Sequence, residues 1–221
     1  MSLTDLELEA LLANERGEFE HAEKLCAELD AAKPRASMGA AAAWWASVGQ
    51  PVFPLLPRGK QPLTKHGFKD ASVDLDQIRR WWTETPDANI GTPTGILFDA
   101  VDFDGAAGLR SKLDNPARFE SLQILAKVAT PRGSHLYVPV SGHGNKAGLM
   151  PGVDYRGQGG YVVAPPSVTD INSYVFLARP VFQDGKLVPI DALGVCARCH
   201  AEVRVIGLSG GICASCELPN V

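Results

Sequence analysis

The sequence predicts an α+β domain with a helical segment before it and a small cysteine-bearing module after it, on three observations. Short strand-like stretches bounded by Gly- and Pro-rich turns recur, two with period-2 alternation at 96–104 and 135–138 and one as a continuous apolar run at 161–164. Stretches with helical spacing and capping residues lie before and between them. Residues 191–221 carry two Cys-x-x-Cys pairs. The expected domains are a helical segment over 1–36, a central domain over 37–190 and the cysteine module over 191–221.

In chain order, residues 1 to 33 hold nine acidic and three basic side chains, with Phe19, Ala22, Cys26 and Leu29 at helical spacing. This predicts two short amphipathic helices ending before Pro34, a cap for the main domain or a surface for a partner. Ser37 can cap a helix through Ala40–Trp45, with Gly49 just past its end. A strand from Pro51 to Leu56 leads into a loop bearing Arg58, Lys60, Lys65 and Lys69, four cations within twelve residues. Such a loop is either a phosphate-contacting patch or simply solvated. Asp74 or Ser72 can cap a helix containing Ile78, Trp81 and Trp82. Adjacent helical tryptophans point about 100° apart, so one belongs to the core and the other packs at the surface or stacks on a base. Residues 105–128 read as helical, broken near Asn115-Pro116.

The chemistry gathers in three clusters. Strand alternation puts Asp102 and Asp104 on one face, roughly 6 to 7 Å apart, and turns Phe103 into the core. Two carboxylates that close repel, and a divalent cation relieves the repulsion; a solvated strand end would carry the same pair. Thr130-Pro131-Arg132-Gly133 forms a turn that opens a second strand, with His135 and Tyr137 on one face and Leu136 and Val138 on the other. In the third cluster Asp154 and Arg156 are again two apart. A Gly-rich turn, Gly157 to Gly160, then feeds the apolar run Tyr161–Ala164, closed by Pro165-Pro166. Phosphoryl and nucleotidyl transfer need carboxylates that hold divalent ions and cationic or hydrogen-bonding groups that receive phosphates. The clusters supply both.

In this order, Asp102-x-Asp104, Gly133-Ser134-His135 and Asp154-x-Arg156 with the following Gly-Gly-Tyr-Val-Val-Ala-Pro-Pro-Ser resemble the three motifs of the archaeo-eukaryotic primase superfamily. More narrowly they resemble the bifunctional DNA primase/polymerase N-terminal (prim-pol) family of plasmid, phage and prophage replication proteins. The segment Gly59-Lys60-Gln61-Pro62 and the lead-in Trp81-Trp82 to Gly95 are similar to that family's flanks, and the likeness runs from about residue 40 to about residue 180. The resemblance implies a palm-like core whose mainly antiparallel sheet presents the acidic and histidine motifs on one face. It implies DNA primase or polymerase activity, with Asp102, Asp104 and Asp154 holding two Mg²⁺ or Mn²⁺ ions. Ser134 and His135 would contact the triphosphate, helped by Lys60, with Arg132 and Arg156 as further phosphate contacts. Single-stranded DNA template and NTPs or dNTPs are the implied substrates. Many relatives carry a helicase on the same chain, for which 221 residues leave no room, so the expectation is that unwinding comes from another protein, such as a separate helicase, or is not needed. A non-catalytic DNA-binding or replisome adaptor on a primase fold, or a metal-dependent nuclease, is the alternative.

The tail reads independently of that likeness. Cys196, Cys199, Cys213 and Cys216 form two knuckles separated by thirteen residues, a spacing suited to a four-thiolate zinc ribbon. Composition is that of a soluble globular protein, 45% hydrophobic and 21% charged, with a net charge of -4. Global basicity therefore does not advertise nucleic acid, and DNA contacts would come from local patches. No apolar run reaches the roughly 18 residues that a membrane span requires, and the acidic N-terminus is unlike a signal peptide. The expectation is a soluble cytoplasmic protein of a bacterium or an infected cell.

Overall fold

The computed structural model describes residues 37–190 and, beyond them, the backbone of four short strand segments, 193–195, 202–204, 208–209 and 212–213. The N-terminal helices expected over 1–36 lie outside the described residues, as do the side chains of the four zinc-ribbon cysteines. By its contacts the chain divides after Ser37, and the unit from Met38 onward contains both sheets and all three motifs.

Helix α1, Met38–Ser47, begins directly after Ser37 and leads to strand β1, Phe53–Leu55. A single 3₁₀ turn, Gly67–Asp70, separates β1 from helix α2, Leu75–Glu84. Asp74 caps α2, its Oδ1 accepting from the N–H groups of Asp76 and Gln77, while Ser72 Oγ accepts from the N–H of Asp74. Strands β2, Asn89–Pro93, and β3, Asp99–Asp104, come next. Residues 95–98, which alternation assigns to the start of β3, are instead a bend: Gly95 has φ +81° and its N–H bonds back to the carbonyl of Phe98. Helices α3, Gly105–Asp114, and α4, Pro116–Glu120, break at Asn115-Pro116. The remaining strands of the domain are β4, Ala126–Thr130; β5, Gly133–Val138; β6, Lys146–Met150; β7, Val153–Arg156; β8, Tyr161–Ala164; and β9, Val175–Ala178. A hairpin of Val181–Gln183 with Lys186–Val188 ends it.

Two antiparallel sheets carry the fold. One has six strands in the order β6-β7-β3-β5-β4-β9, the other three in the order β1-β2-β8. Between them lies the larger core, where Phe53, Ile90 and Val163 of the small sheet meet Ala100, Val128 and Tyr137 of the large one. Trp45 of α1 and Ile78 and Trp82 of α2 complete it. Phe98 stacks on Tyr137 with ring centroids 4.0 Å apart, and Trp45 packs against both. Of the two tryptophans on α2, Trp82 is the buried one and donates its indole N–H to the Ala88 carbonyl at 2.9 Å. Trp81 is half-buried at its edge. On the opposite face of the large sheet a second core forms from Val101, Phe103, Leu136, Val138 and Val153, closed by Phe119 of α4. Asp102 and Asp104 of β3, His135 of β5, and Asp154 and Arg156 of β7 share a face with Ala100 and Tyr137 of the larger core and begin where its apolar packing stops. Among the described residues no helix is long and apolar enough to cross a membrane.

Candidate active site

Strand β3 lies inside the six-stranded sheet with β5 on one side and β7 on the other. Its register sets Asp102 opposite His135 of β5 and opposite Asp154 of β7. Residues directly opposed on adjacent strands share a face, so Asp154, Asp102 and His135 form one row across three strands. His135 Nε2 lies 3.4 Å from Asp102 Oδ1. The Arg156 guanidinium, two residues along β7 on the same face, donates to Asp154 Oδ2 at 2.8 Å and lies 3.8 Å from Asp102 Oδ2. The second oxygen of Asp154 accepts the N–H of Gly148 at 2.8 Å.

Asp104 ends β3 on the same side as Asp102 but at the exposed rim. Arg132, in the turn before β5, grips it with two parallel hydrogen bonds: Nε to Oδ1 at 3.0 Å and Nη2 to Oδ2 at 2.9 Å. Gly133 makes that approach feasible, since a Cβ there would stand 1.9 Å from the Phe103 carbonyl oxygen. The turn itself is pinned by the N–H of Gly105 donating to the Arg132 carbonyl at 3.0 Å.

Above the row opens a cleft of about 300 Å³. Asp102, His135 and Arg156 line one side of it, and Lys60, Tyr161 and Tyr174 line the rest, with Phe68, Asn145 and the Gly159-Gly160 turn at its margins. The glycine turn is held at fixed points. Thr94 Oγ1 donates to the Gly157 carbonyl at 2.6 Å, Asn145 Oδ1 accepts the Gly157 N–H at 3.1 Å, and the His143 carbonyl accepts the Gln158 N–H at 2.8 Å. At Gly160 a Cβ would fall 2.2 Å from Asn145 Oδ1, so a side chain there would push aside the Asn145 amide that holds the Gly157 N–H. A larger open groove of about 710 Å³ runs beside α2, lined by Lys65, Asp74 and Trp81 among others. None of the three motifs reaches it.

Electrostatics follow the geometry. Burial pushes Asp102 toward protonation, but the hydrogen bond from His135 and the positive charges of His135, Arg156 and Lys60 together outweigh it. Its carboxyl is held below the ordinary 3.8. Tyr174 is pushed up to about 12, first by burial and then by the negative charge of Asp102, so its hydroxyl stays protonated at neutral pH.

The sequence-predicted residues thus separate. Asp102, His135, Arg156 and Lys60 line the cleft, Asp154 stands beside Asp102 on β7 and bonds Arg156, and Asp104 pairs with Arg132 at the exposed end of β3. Ser134 departs from its expected role. It is register-paired with Phe103, so its side chain lies on the opposite face of the sheet from His135 and away from the cleft. The basic loop also disperses: Lys60 faces the cleft, Lys65 the other groove, and Arg58 is paired with Asp170. Sequence reasoning missed Tyr174 and Asn145, which reach the cleft from separate loops. It also missed Asp99, a wholly buried carboxylate on the back of β3. Asp99 Oδ2 accepts from the Tyr155 hydroxyl at 2.6 Å and from the N–H and Oγ of Ser141 at 2.8 and 2.9 Å.

The antiparallel sheet thus carries a carboxylate–carboxylate–imidazole row beside a cleft to which Lys60 and Arg156 bring positive charge. Residues 41–193 match the family of bifunctional DNA primase/polymerase N-terminal domains, and the chain belongs to that family. No curated protein matches the sequence. The family is one of DNA primase/polymerase nucleotidyltransferases, with DNA and nucleotides as substrates and divalent metals as typical cofactors. The donor set fits such ions in kind, because carboxylate oxygens are what Mg²⁺ and Mn²⁺ prefer. As the side chains stand, however, each carboxylate is turned to a cationic partner. Among the described residues no group of three acidic, His or Cys side chains is drawn together tightly enough to hold an ion.

Proposed function

We propose that this chain is a DNA-templated nucleotidyltransferase, a DNA primase and/or polymerase that starts or extends primers in replication of phage, plasmid or prophage type. The observation that carries this reading is the row Asp154–Asp102–His135 on three adjacent strands, of which Asp102 and His135 line a cleft together with Lys60 and Arg156. Asp102, Asp104 and Asp154 would hold Mg²⁺ or Mn²⁺. Bound ions of this kind lower the pKa of an attacking 3′-hydroxyl and stabilise charge on the α-phosphate and the departing pyrophosphate.

The chain's own groups do the rest. Lys60 and Arg156 present positive charge to the triphosphate, and Arg132 adds a planar pair of donors at the rim. His135, nearly buried between Tyr137 and Tyr174, orients Asp102 and keeps it ionised. Tyr174 offers a neutral hydroxyl donor beside the row. The Gly159-Gly160 turn lets backbone approach the ligand where a side chain would block it. Four thiolates of Cys196, Cys199, Cys213 and Cys216 would bind a structural zinc ion outside this centre.

The test is synthesis on single-stranded DNA with labelled NTPs or dNTPs and Mg²⁺ or Mn²⁺, with and without an annealed primer. New oligonucleotides on unprimed template identify a primase, and extension of the primed template alone identifies a polymerase that needs a priming partner. Absence of product on both, while DNA still binds, overturns the reading. Shortened strands would identify a nuclease instead.

A further inference from the structure

The carboxylates of this site already carry cations from the chain itself. Arg132 holds Asp104 through two hydrogen bonds, and Arg156 is bonded to Asp154 while lying within 4 Å of Asp102. Both arginine side chains reach solvent, at 56% and 35% exposure, so neither guanidinium is locked into a packed interior. Their backbones, by contrast, are fixed. Arg132 sits in the turn pinned by the Gly105 N–H, and Arg156 lies on β7 next to Tyr155, whose hydroxyl is bonded to Asp99 and Ser141. Motion here means a swing of a long side chain about a stationary Cα.

A guanidinium presents the same fork of donors to a phosphate as to a carboxylate. Resting on the nucleotidyltransferase reading above, we infer that Arg132 and Arg156 are exchangeable counter-ions of the catalytic carboxylates. In the nucleotide-free protein they neutralise Asp104, Asp154 and Asp102, and they transfer to the triphosphate of an incoming nucleotide as divalent cations take over the carboxylates. A cation arriving at Asp154 and Asp102 alone must compete with Arg156 for the same oxygens and is repelled by its charge. A triphosphate removes that obstacle by offering the guanidinium another partner. Linkage then requires that each ligand raise the affinity of the other. The site would therefore hold metal weakly until a nucleotide is present, which restrains metal-dependent chemistry on DNA in the absence of substrate.

The experiment titrates Mn²⁺ into the nucleotide-free full chain, reading free Mn²⁺ by electron paramagnetic resonance, for wild type, R156Q, R132Q and R132Q/R156Q. Circular dichroism checks that each variant is folded. Exchange predicts that R156Q binds Mn²⁺ about tenfold more tightly than wild type, within the 5- to 150-fold range usual for site coupling, and that the double variant binds more tightly still. In the presence of EDTA, tripolyphosphate binding falls by a comparable factor in R156Q. Adding Asp154→Ala to R156Q abolishes the gained Mn²⁺ affinity. Mn²⁺ affinity that is unchanged or weaker in R156Q and in the double variant overturns the exchange, while binding that still requires Asp154 leaves the carboxylate reading standing. Failure of every variant to bind Mn²⁺ overturns both.

Discussion

Asp99 and Asp102 stand three residues apart on β3, and the pleat sends them to opposite faces of the sheet. Asp99 is fully buried, and one of its oxygens collects three hydrogen bonds from Tyr155 and Ser141. These bonds tie β3 to β7 and to the loop whose Asn145 clasps the glycine turn. Asp102 keeps 22% of its side chain exposed and is satisfied by an imidazole and a guanidinium, groups that can also serve a phosphate. The difference teaches how one strand divides its labour. A carboxylate enclosed by neutral donors holds the frame, and a carboxylate at a cleft with ionic partners remains free to change them.

Substitutions on the two faces should therefore fail in different ways. The largest effect belongs to the front. Asp154→Ala is expected to reduce primer extension by about 10³-fold, roughly 4 kcal/mol of transition-state stabilisation, with the unfolding midpoint almost unchanged. Single-nucleotide incorporation beside chemical denaturation reads both quantities. On the back, Asp99→Ala strips the Tyr155 and Ser141 donors of their acceptor and should cost about 3 kcal/mol of folding stability. Urea denaturation measures that loss, and any fall in extension should follow the unfolded fraction and the loosened cleft wall. Tyr155→Phe removes one donor of the same set and should cost about 1 kcal/mol by the same measurement.

The smallest effect is a pH dependence. Asp102 has a folded pKa below its ordinary value, so its ionised partners contribute stability that is fully present above about pH 4. That contribution is lost as pH falls through the folded pKa. Asp102→Asn should flatten this part of the acid limb of a stability-versus-pH curve.

Much of the front face was legible in the sequence because it is written in local patterns. The alternation Asp102-Phe103-Asp104 fixed which side chains share a face, and His135 with Tyr137 did the same for β5. The cap of α2 and the break at Asn115-Pro116 between α3 and α4 were legible for the same reason, whereas the helical reading of 105–128 ran too far: α4 ends at Glu120 and β4 begins at Ala126. Ser134 marks where motif and geometry part: it adjoins His135, and the alternation that puts His135 on the cleft face necessarily turns Ser134 away. That signal was present, and the motif outweighed it. Asp99 left no comparable trace. It reads as the end of an apolar run, and its partners Ser141 and Tyr155 lie 42 and 56 residues away, joined to it only by strand register. The basic loop failed similarly, since nothing near Arg58 announces that Asp170, 112 residues on, will take it. Long-range pairings of this kind belong to the folded sheet and have no local sequence signature.

The most direct test of the central claim compares primer extension by wild type and Asp102→Ala, each corrected for its folded fraction by circular dichroism. The account predicts a folded Asp102→Ala protein that binds primed DNA and adds no nucleotide. Extension by folded Asp102→Ala at the wild-type rate would contradict it, and would move the chemistry away from the row that β7, β3 and β5 assemble.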